Sequence, residues 1–354
     1  MECHPVLRLK PEPCEEFSEA QVHRLIMESP EGFCDLLDRF YAEWNRNRDM
    51  VTLPPKQVFS TEGLKGDFRV MPCVFNFEGK LVKAVKVIGT NEEERIVPDK
   101  ICVGRAMLLH PTDNFAQALF EVCALSSFRT AAISVLAAKR CATGLLRAGI
   151  IGTGRIGFYT ALFLKNWLRI GELSYFDLDP ARAREFKFAI EPFMCGMDAR
   201  ECGSVEEVSA ESNALFLCTN SAVPVLSKKN ARNLPFVSSV GADADNLSEL
   251  DEDMAPDRQI VVDSIQSMAL GDMKRWEEKG IISREEVLEM RSVATPGYKP
   301  AKKVLFISTG VAVQDALACQ FLFERRKREK TPLKMVLPSK MALTNIKKGD
   351  GILG

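Results

Sequence analysis

From Lys80 to Asn91 the chain reads KLVKAVKVIGTN, where Val82, Ala84, Val85, Val87 and Ile88 are small or β-branched and Gly89 closes the run. The pattern predicts a buried strand interrupted by charge. Successive side chains of a strand point to opposite faces. Lys83 and Lys86 are three apart, so one reaches solvent while the other shares a face with Val82, Ala84 and Ile88. A lysine on an apolar face requires a reason. Just upstream, FRVMPCVFNF predicts a second strand, and the intervening EGK makes the two a hairpin. From Glu16 to Arg46 the spacing is helical: Phe17, Val22, Leu25, Ile26, Phe33, Leu36, Leu37, Phe40 and Tyr41 recur on one face, and Ser18 is the N-cap candidate. A polar stretch, TNEEERIVPDK, and the apolar AMLLH follow. The alanine-rich NFAQALFEVCALSSFRTAAISVLAAKRC predicts at least one helix.

From Ala148 onward the pattern alternates between strands and helices. AGIIG, ELSYFD, NALFLC, FVSSVG, QIVVDS and KVLFIS are short apolar strands, with helices predicted in FYTALFLKNWL and PARAREFKFAI. Strands apolar on both faces belong to a parallel sheet covered by helices. STGVAVQDALACQFLFERRKRE forms a last helix whose basic end is a solvated terminus rather than a nucleic-acid patch.

Composition narrows the function classes. The 354 residues are 46% hydrophobic and 27% charged, with a formal net charge of -1. Such a chain suits about two globular domains and gives no support for nucleic acid or an anionic membrane as partner. Eleven cysteines form no CxxC pair, which points to reduced core thiols, and three scattered histidines suggest no metal site. No signal peptide and no apolar run near 18–20 residues is seen, so a cytoplasmic location is expected.

AGIIGTGRIGFYTALFL holds Gly152-x-Gly154-x-x-Gly157 between a strand and a helix, the context of a dinucleotide fingerprint. Gly152 permits the tight turn, Gly154 the approach of a pyrophosphate and Gly157 close helix–strand packing. Thr153, Arg155 and Ile156 fill the same loop. Asp177 ends the second strand 25 residues after Gly152, where an acid binds ribose hydroxyls and repels a 2′-phosphate. NAD is therefore expected over NADP, although Arg182 and Arg184 nearby weaken the preference.

SSFRTAAISVLAAK, the fingerprint, VGADADNLSEL and STGVAVQDALA, in that order, resemble the ornithine cyclodeaminase/μ-crystallin family. VKVIGTN, PTDNF and IVVDSIQ bring the chain nearest, within it, to NAD-dependent dehydrogenases that supply 2,3-diaminopropionate for the siderophore staphyloferrin B. The resemblance implies an α/β fold with a Rossmann domain (129–307) inserted in an α+β substrate and dimerisation domain built from 1–128 and 308–354. It also implies a homodimer and an amino-acid-like substrate. Lys86 matches the family's active-site lysine, and Arg69 and Arg129 match arginines that hold a substrate carboxylate, with Met71 and Gly310 beside them. Asp243 matches the cyclodeaminase general acid/base, and Thr130, Thr219, Asn220, Ser221 and Gly241 fall where cofactor contacts are expected.

Each assignment has an alternative. Lys86 could snorkel to solvent from a strand end, and Asp243 could cap a loop, with Asp245 two residues on as its rival. Asp315 matches a family aspartate in the last helix, with a structural role as its competing reading. Cyclodeaminases tend to follow the aspartate with Pro-Gly-Lys, where this chain has Asp245, Asn246 and Leu247. Three activities follow from the family: net oxidation of a C–N bond, cyclodeamination with NAD recycled internally, and ketimine reduction of the μ-crystallin type.

Overall fold

The computed structural model describes residues 11–63, 66–90, 97, 100, 102–142, 144 and 147–330. Most of the polar stretch TNEEERIVPDK and the C-terminal KMALTNIKKGDGILG lie outside the described residues. Two sheets organise the rest.

The first sheet runs Glu15–Phe17, Ala116–Glu121, Cys102–Leu109, Lys80–Thr90, Asp67–Phe77 and Val51–Thr52, with Gln57–Ser60 also on Asp67–Phe77. Its centre is the expected hairpin, turned at Glu78 and Gly79, both at positive φ. Alternation decides which side is buried: Arg69, Met71, Cys73, Phe75 and Phe77 face inward with Val82, Ala84, Lys86 and Ile88. Lys86 is thus the inward lysine, whereas Lys83 donates to Asn114 Oδ1 at 2.7 Å.

The helical N-terminal segment is two helices. Glu19–Met27 opens on a capping box between Ser18 and Gln21, and Pro30–Arg46 begins on its proline. The alanine-rich segment divides as well. Ala116–Glu121 is a strand and only Val122–Cys141 is helix, because AQALFE sits beside Cys102–Leu109 at the sheet edge that Glu15–Phe17 completes. Tertiary pairing overrides the helical preference of that short run.

The second sheet is wholly parallel, in the order Asp198–Glu201, Glu172–Phe176, Arg147–Ile151, Ala214–Leu217, Phe236–Ser239, Lys303–Ile307, Arg258–Val262 and Leu288–Glu289. The order reverses between Arg147–Ile151 and Ala214–Leu217, so the crevice of a doubly wound fold opens there. Val122–Cys141 packs on the fingerprint helix Arg155–Asn166, on Phe236–Ser239 and on Cys102–Leu109. A boundary between residues 128 and 129 therefore falls inside a helix that serves both sheets. This helix alone is apolar and long enough to span a membrane among the described residues, and 89% of its most apolar window is buried in the core. The last helix, Ala312–Lys330, leaves the second sheet and packs on Asp67–Phe77, Lys80–Thr90 and Cys102–Leu109. It delivers residues from the chain's end to the inner face of the first sheet.

Candidate active site

The inward lysine finds its reason in that last helix. Lys86, 2% exposed, places Nζ 2.8 Å from Asp315 Oδ2 and donates to Ser126 Oγ at 3.3 Å. Arg129, from Val122–Cys141, donates Nε to Asp315 Oδ1 at 3.0 Å and Nη1 to Gln314 Oε1 at 3.1 Å. One buried carboxylate thus holds two buried cations. Burial lowers the Lys86 pKa, Arg129 lowers it further and Asp315 opposes both. Gly310 lies against this group at φ +77, and a Cβ there would meet Arg129 Nη2 at 2.7 Å. Only glycine allows that approach. Met71 pairs with Lys86 across the hairpin and is buried.

A second constellation crosses between the sheets. Arg69 donates Nε and Nη2 to Asp67 at 2.9 and 3.0 Å, and Nη1 to Asp243 Oδ2 at 2.8 Å. Its guanidinium is held by two acids, Asp67 and Asp243, and so links the first sheet to the second. Asp243 itself follows the strand Phe236–Ser239 at the carboxyl edge of the second sheet. Asp245 turns to Lys274 at 2.6 Å, which separates the two rival aspartates.

Lys56 joins this group from the segment before Gln57–Ser60. Its Nζ donates to the Thr309 carbonyl at 2.7 Å and to Thr309 Oγ1 at 3.2 Å. Burial lowers its pKa to about 8, with Asp243 raising it and Arg69, then Lys86, among the groups that oppose. Sequence reasoning missed this residue; LPPKQV carries no spacing that sets it apart from a solvated lysine. It also missed Asp263, which is buried and accepts from Ser308 Oγ at 2.6 Å, Gly310 N at 3.0 Å and Ser267 Oγ at 2.5 Å, holding the turn that meets Lys56.

The fingerprint sits at the same carboxyl edge. Gly152 has φ +92, and a Cβ on Gly157 would meet the Gly152 carbonyl oxygen at 2.4 Å. The helix Arg155–Asn166 begins at Gly154 without a side-chain cap, and nothing lies within 4 Å of a Cβ built there. Open backbone donors at a helix N-terminus suit a pyrophosphate. Asp177 accepts from Thr153 N at 2.7 Å and Thr153 Oγ1 at 2.9 Å, so it braces the loop as well as ending the second strand. Ile156 is half-buried and Thr130 is buried next to Arg129. Thr219 and Gly241 face each other through Glu249, Ser221 Oγ donates to the Val223 carbonyl at 2.6 Å, and Asn220 is exposed. Two further expected residues make ion pairs of their own. Arg155 pairs with Glu19 at 2.5 Å, and Arg182 is 59% exposed beside Asp179.

The sequence model of the ornithine cyclodeaminase/mu-crystallin family matches residues 23–330. The chain belongs to this family. Among its relatives, the alanine dehydrogenase of Archaeoglobus fulgidus is 26% identical over 285 residues, covering 77% of this chain and 84% of that one. The iminosuccinate reductase of Paracoccus denitrificans is 23% identical, covering 85% and 93%. The ornithine cyclodeaminase of Brucella suis is 26% identical but covers 62% of each. In fold, the Thermococcus litoralis Δ1-pyrroline-2-carboxylate reductase in complex with NADH and L-proline superposes with a TM-score of 0.79, at 22% identity, covering 90% of this chain and 98% of that one. An archaeal alanine dehydrogenase dimer with bound NAD gives 0.78 at 23% identity, covering 90% and 97%.

Two outcomes are expected from this geometry. Asp315→Asn leaves Lys86 and Arg129 without their anion, and urea unfolding should show a loss of roughly 3–5 kcal/mol. For Lys56 the folded pKa of about 8 lies below the ordinary lysine value of 10.5, so between these pH values the unfolded chain binds more protons. Stability gains from this group as pH rises through that window. In Lys56→Met that part of the rise should vanish, read as melting temperature against pH beside the unmutated protein.

Proposed function

We propose that this protein is an NAD-dependent oxidoreductase acting on the C–N bond of an amino acid or amino-acid conjugate. The observation that carries the reading is the Lys86–Asp315–Arg129 group, facing the carboxyl edge of a Rossmann sheet with Asp243 across the cleft. Two cations against one carboxylate leave positive charge for a substrate α-carboxylate. Arg129 supplies the planar donor, while Lys86 and Lys56 add charge beside it. Arg69, held by Asp67, fixes Asp243 toward the substrate nitrogen. The fingerprint loop, Thr130, Asp177, Thr219, Asn220, Ser221 and Gly241 line the cofactor's side, with Arg155 and Arg182 at its rim. Asp177 at the strand end supports NAD over NADP.

A bound nicotinamide supplies acceptance of a hydride from the substrate Cα. Asp243 takes one proton from the substrate nitrogen as the C=N bond forms. Water then adds to that carbon, the C–N bond breaks, and a 2-oxo acid and an amine leave. One NADH and one proton accompany each pair of products. With 2,3-diaminopropionate as the amine, the reaction is that of the siderophore branch to which VKVIGTN and PTDNF are similar. The names of the relatives, an alanine dehydrogenase, an iminosuccinate reductase and an ornithine cyclodeaminase, support amino- or imino-acid chemistry here. The ornithine cyclodeaminase keeps a second reading alive, in which ammonia leaves and no NADH accumulates.

The outer face of the first sheet supports a homodimer. Phe59, Phe68, Leu81, Val87 and Val103 are exposed there, with Phe59 stacked on Phe68 at 4.7 Å. A contiguous apolar face of this kind marks an interface, and we assign it to a second copy. The ten cysteines of the described residues are all free, which supports a cytoplasmic location.

Purified protein should be incubated with NAD+ and a panel of amino acids and amino-acid conjugates, assaying NADH, ammonia and keto acid together. NADH formed one-for-one with a keto acid is expected, stronger with NAD+ than with NADP+. Ammonia without NADH would transfer the assignment to a cyclodeaminase. Lys86→Ala should lower kcat/KM about tenfold or more, as the loss of a charged partner predicts. In sedimentation, the native protein should run as a dimer and the Phe68→Asp, Val87→Asp double variant as a monomer; two identical profiles would refute the interface.

A further inference from the structure

Glu249 has no part in the chemistry above, yet it is completely buried and its carboxylate is saturated with donors. Oε1 accepts from Thr219 N at 2.7 Å and Thr219 Oγ1 at 2.8 Å. Oε2 accepts from Ser239 Oγ at 2.7 Å and Gly241 N at 2.8 Å. Two of these donors are backbone N–H groups of separate turns, one after the strand Ala214–Leu217 and one after Phe236–Ser239. The turns also touch directly, since a Cβ on Gly241 would lie 1.7 Å from the Thr219 carbonyl oxygen.

The carboxylate is itself anchored. Asp272, also buried, accepts from Glu249 N at 3.0 Å and Ser248 Oγ at 2.7 Å, and Arg275 pairs with Asp272 at 2.5 Å. The Glu249 carbonyl accepts from Val225 N and Leu226 N at 2.9 and 3.0 Å. Backbone and side chain of this one residue are therefore both fixed. Burial raises its pKa, and the hydrogen bonds from Ser239, Gly241 and Thr219 oppose that rise.

We propose that Glu249 is a positioning residue that sets the distance between the cofactor turn at Thr219 and the acid/base Asp243, two residues beyond Gly241. The inference rests on the proposed NAD-dependent reaction. A carboxylate is the right group because all four partners are donors, and it is an acceptor at both oxygens. An amide has one accepting oxygen. However the Gln side chain is flipped, its NH2 faces a donor pair that includes a fixed backbone N–H, either of Thr219 or of Gly241. One turn must then move away from the other, taking the cofactor contact or Asp243 with it.

The test compares Glu249→Gln with the unmutated protein in an NADH fluorescence titration, in turnover with the substrate found in the panel, and in thermal melting. The NADH Kd should rise and kcat should fall, each by about tenfold, at a temperature where both proteins are fully folded. A merely structural glutamate would lower the melting temperature and leave both constants within about twofold, and that result would overturn the proposal. If Glu249→Gln does not fold, Ser239→Ala removes one donor to Oε2 without touching the cleft. It should weaken NADH binding about threefold, and an unchanged Kd would refute the role. An unmutated protein that binds no NADH would sink the cofactor reading and this role together, whereas binding that is equal in variant and native protein sinks only the role.

Discussion

Asp315 lies between Lys86 and Arg129, and the site is assembled around that one buried anion. Each cation alone would be too costly to bury, because an unpaired charge loses its hydration without compensation. Lys86 rides on the strand Lys80–Thr90, Arg129 on the helix Val122–Cys141 and Asp315 on the helix Ala312–Lys330. The early, middle and late parts of the chain are therefore obliged to meet. Since one carboxylate faces two cations, the cluster keeps an excess of positive charge, and an anionic substrate is what would neutralise it.

The second constraint is the carboxyl edge of the parallel sheet. The turns that follow its six central strands hold Gly152 to Gly154, Asp177, Thr219, Gly241 to Asp243, Asp263 and Gly310. These turns are held by acids instead of by apolar packing. Asp177 braces the fingerprint, Glu249 ties the next two turns and Asp263 holds the last. Carboxylates suit this task because backbone N–H groups at strand ends are donors that burial would otherwise leave unsatisfied. Arg69 to Asp243 and Lys56 to Thr309 then connect this edge to the first sheet, so the two sheets are joined there by polar contacts.

Local features were legible wherever a local rule decided them. Ser18 caps its helix as its position predicts, Pro180 opens Pro180–Ile190, and the apolar strands of the second half appear in the expected places. The strand Ala116–Glu121 was hidden, since AQALFE has a helical composition and becomes a strand only through its neighbours at the sheet edge. Arg69 and Lys56 show the same limit at the site. Both are cations near the hairpin in sequence, but which is clamped by acids depends on Asp67 and on Asp243, the latter more than a hundred residues away along the chain.

The sequence by itself determined the dinucleotide fingerprint, the inward-facing lysine, the parallel character of the second sheet and the family. The first three rest on spacing over a few residues: glycines at fixed offsets, the two-residue period of a strand and runs apolar on both faces; the family rests on the resemblance of several motifs in their order along the chain. Tertiary structure alone decided that Asp315 pairs with both Lys86 and Arg129, that Arg69 pairs with Asp243, that Lys56 reaches Thr309 and that Glu249 joins two turns. The physical reason is that a buried charge is tolerated only beside its partner, and which partner that is depends on how the two sheets and the last helix pack.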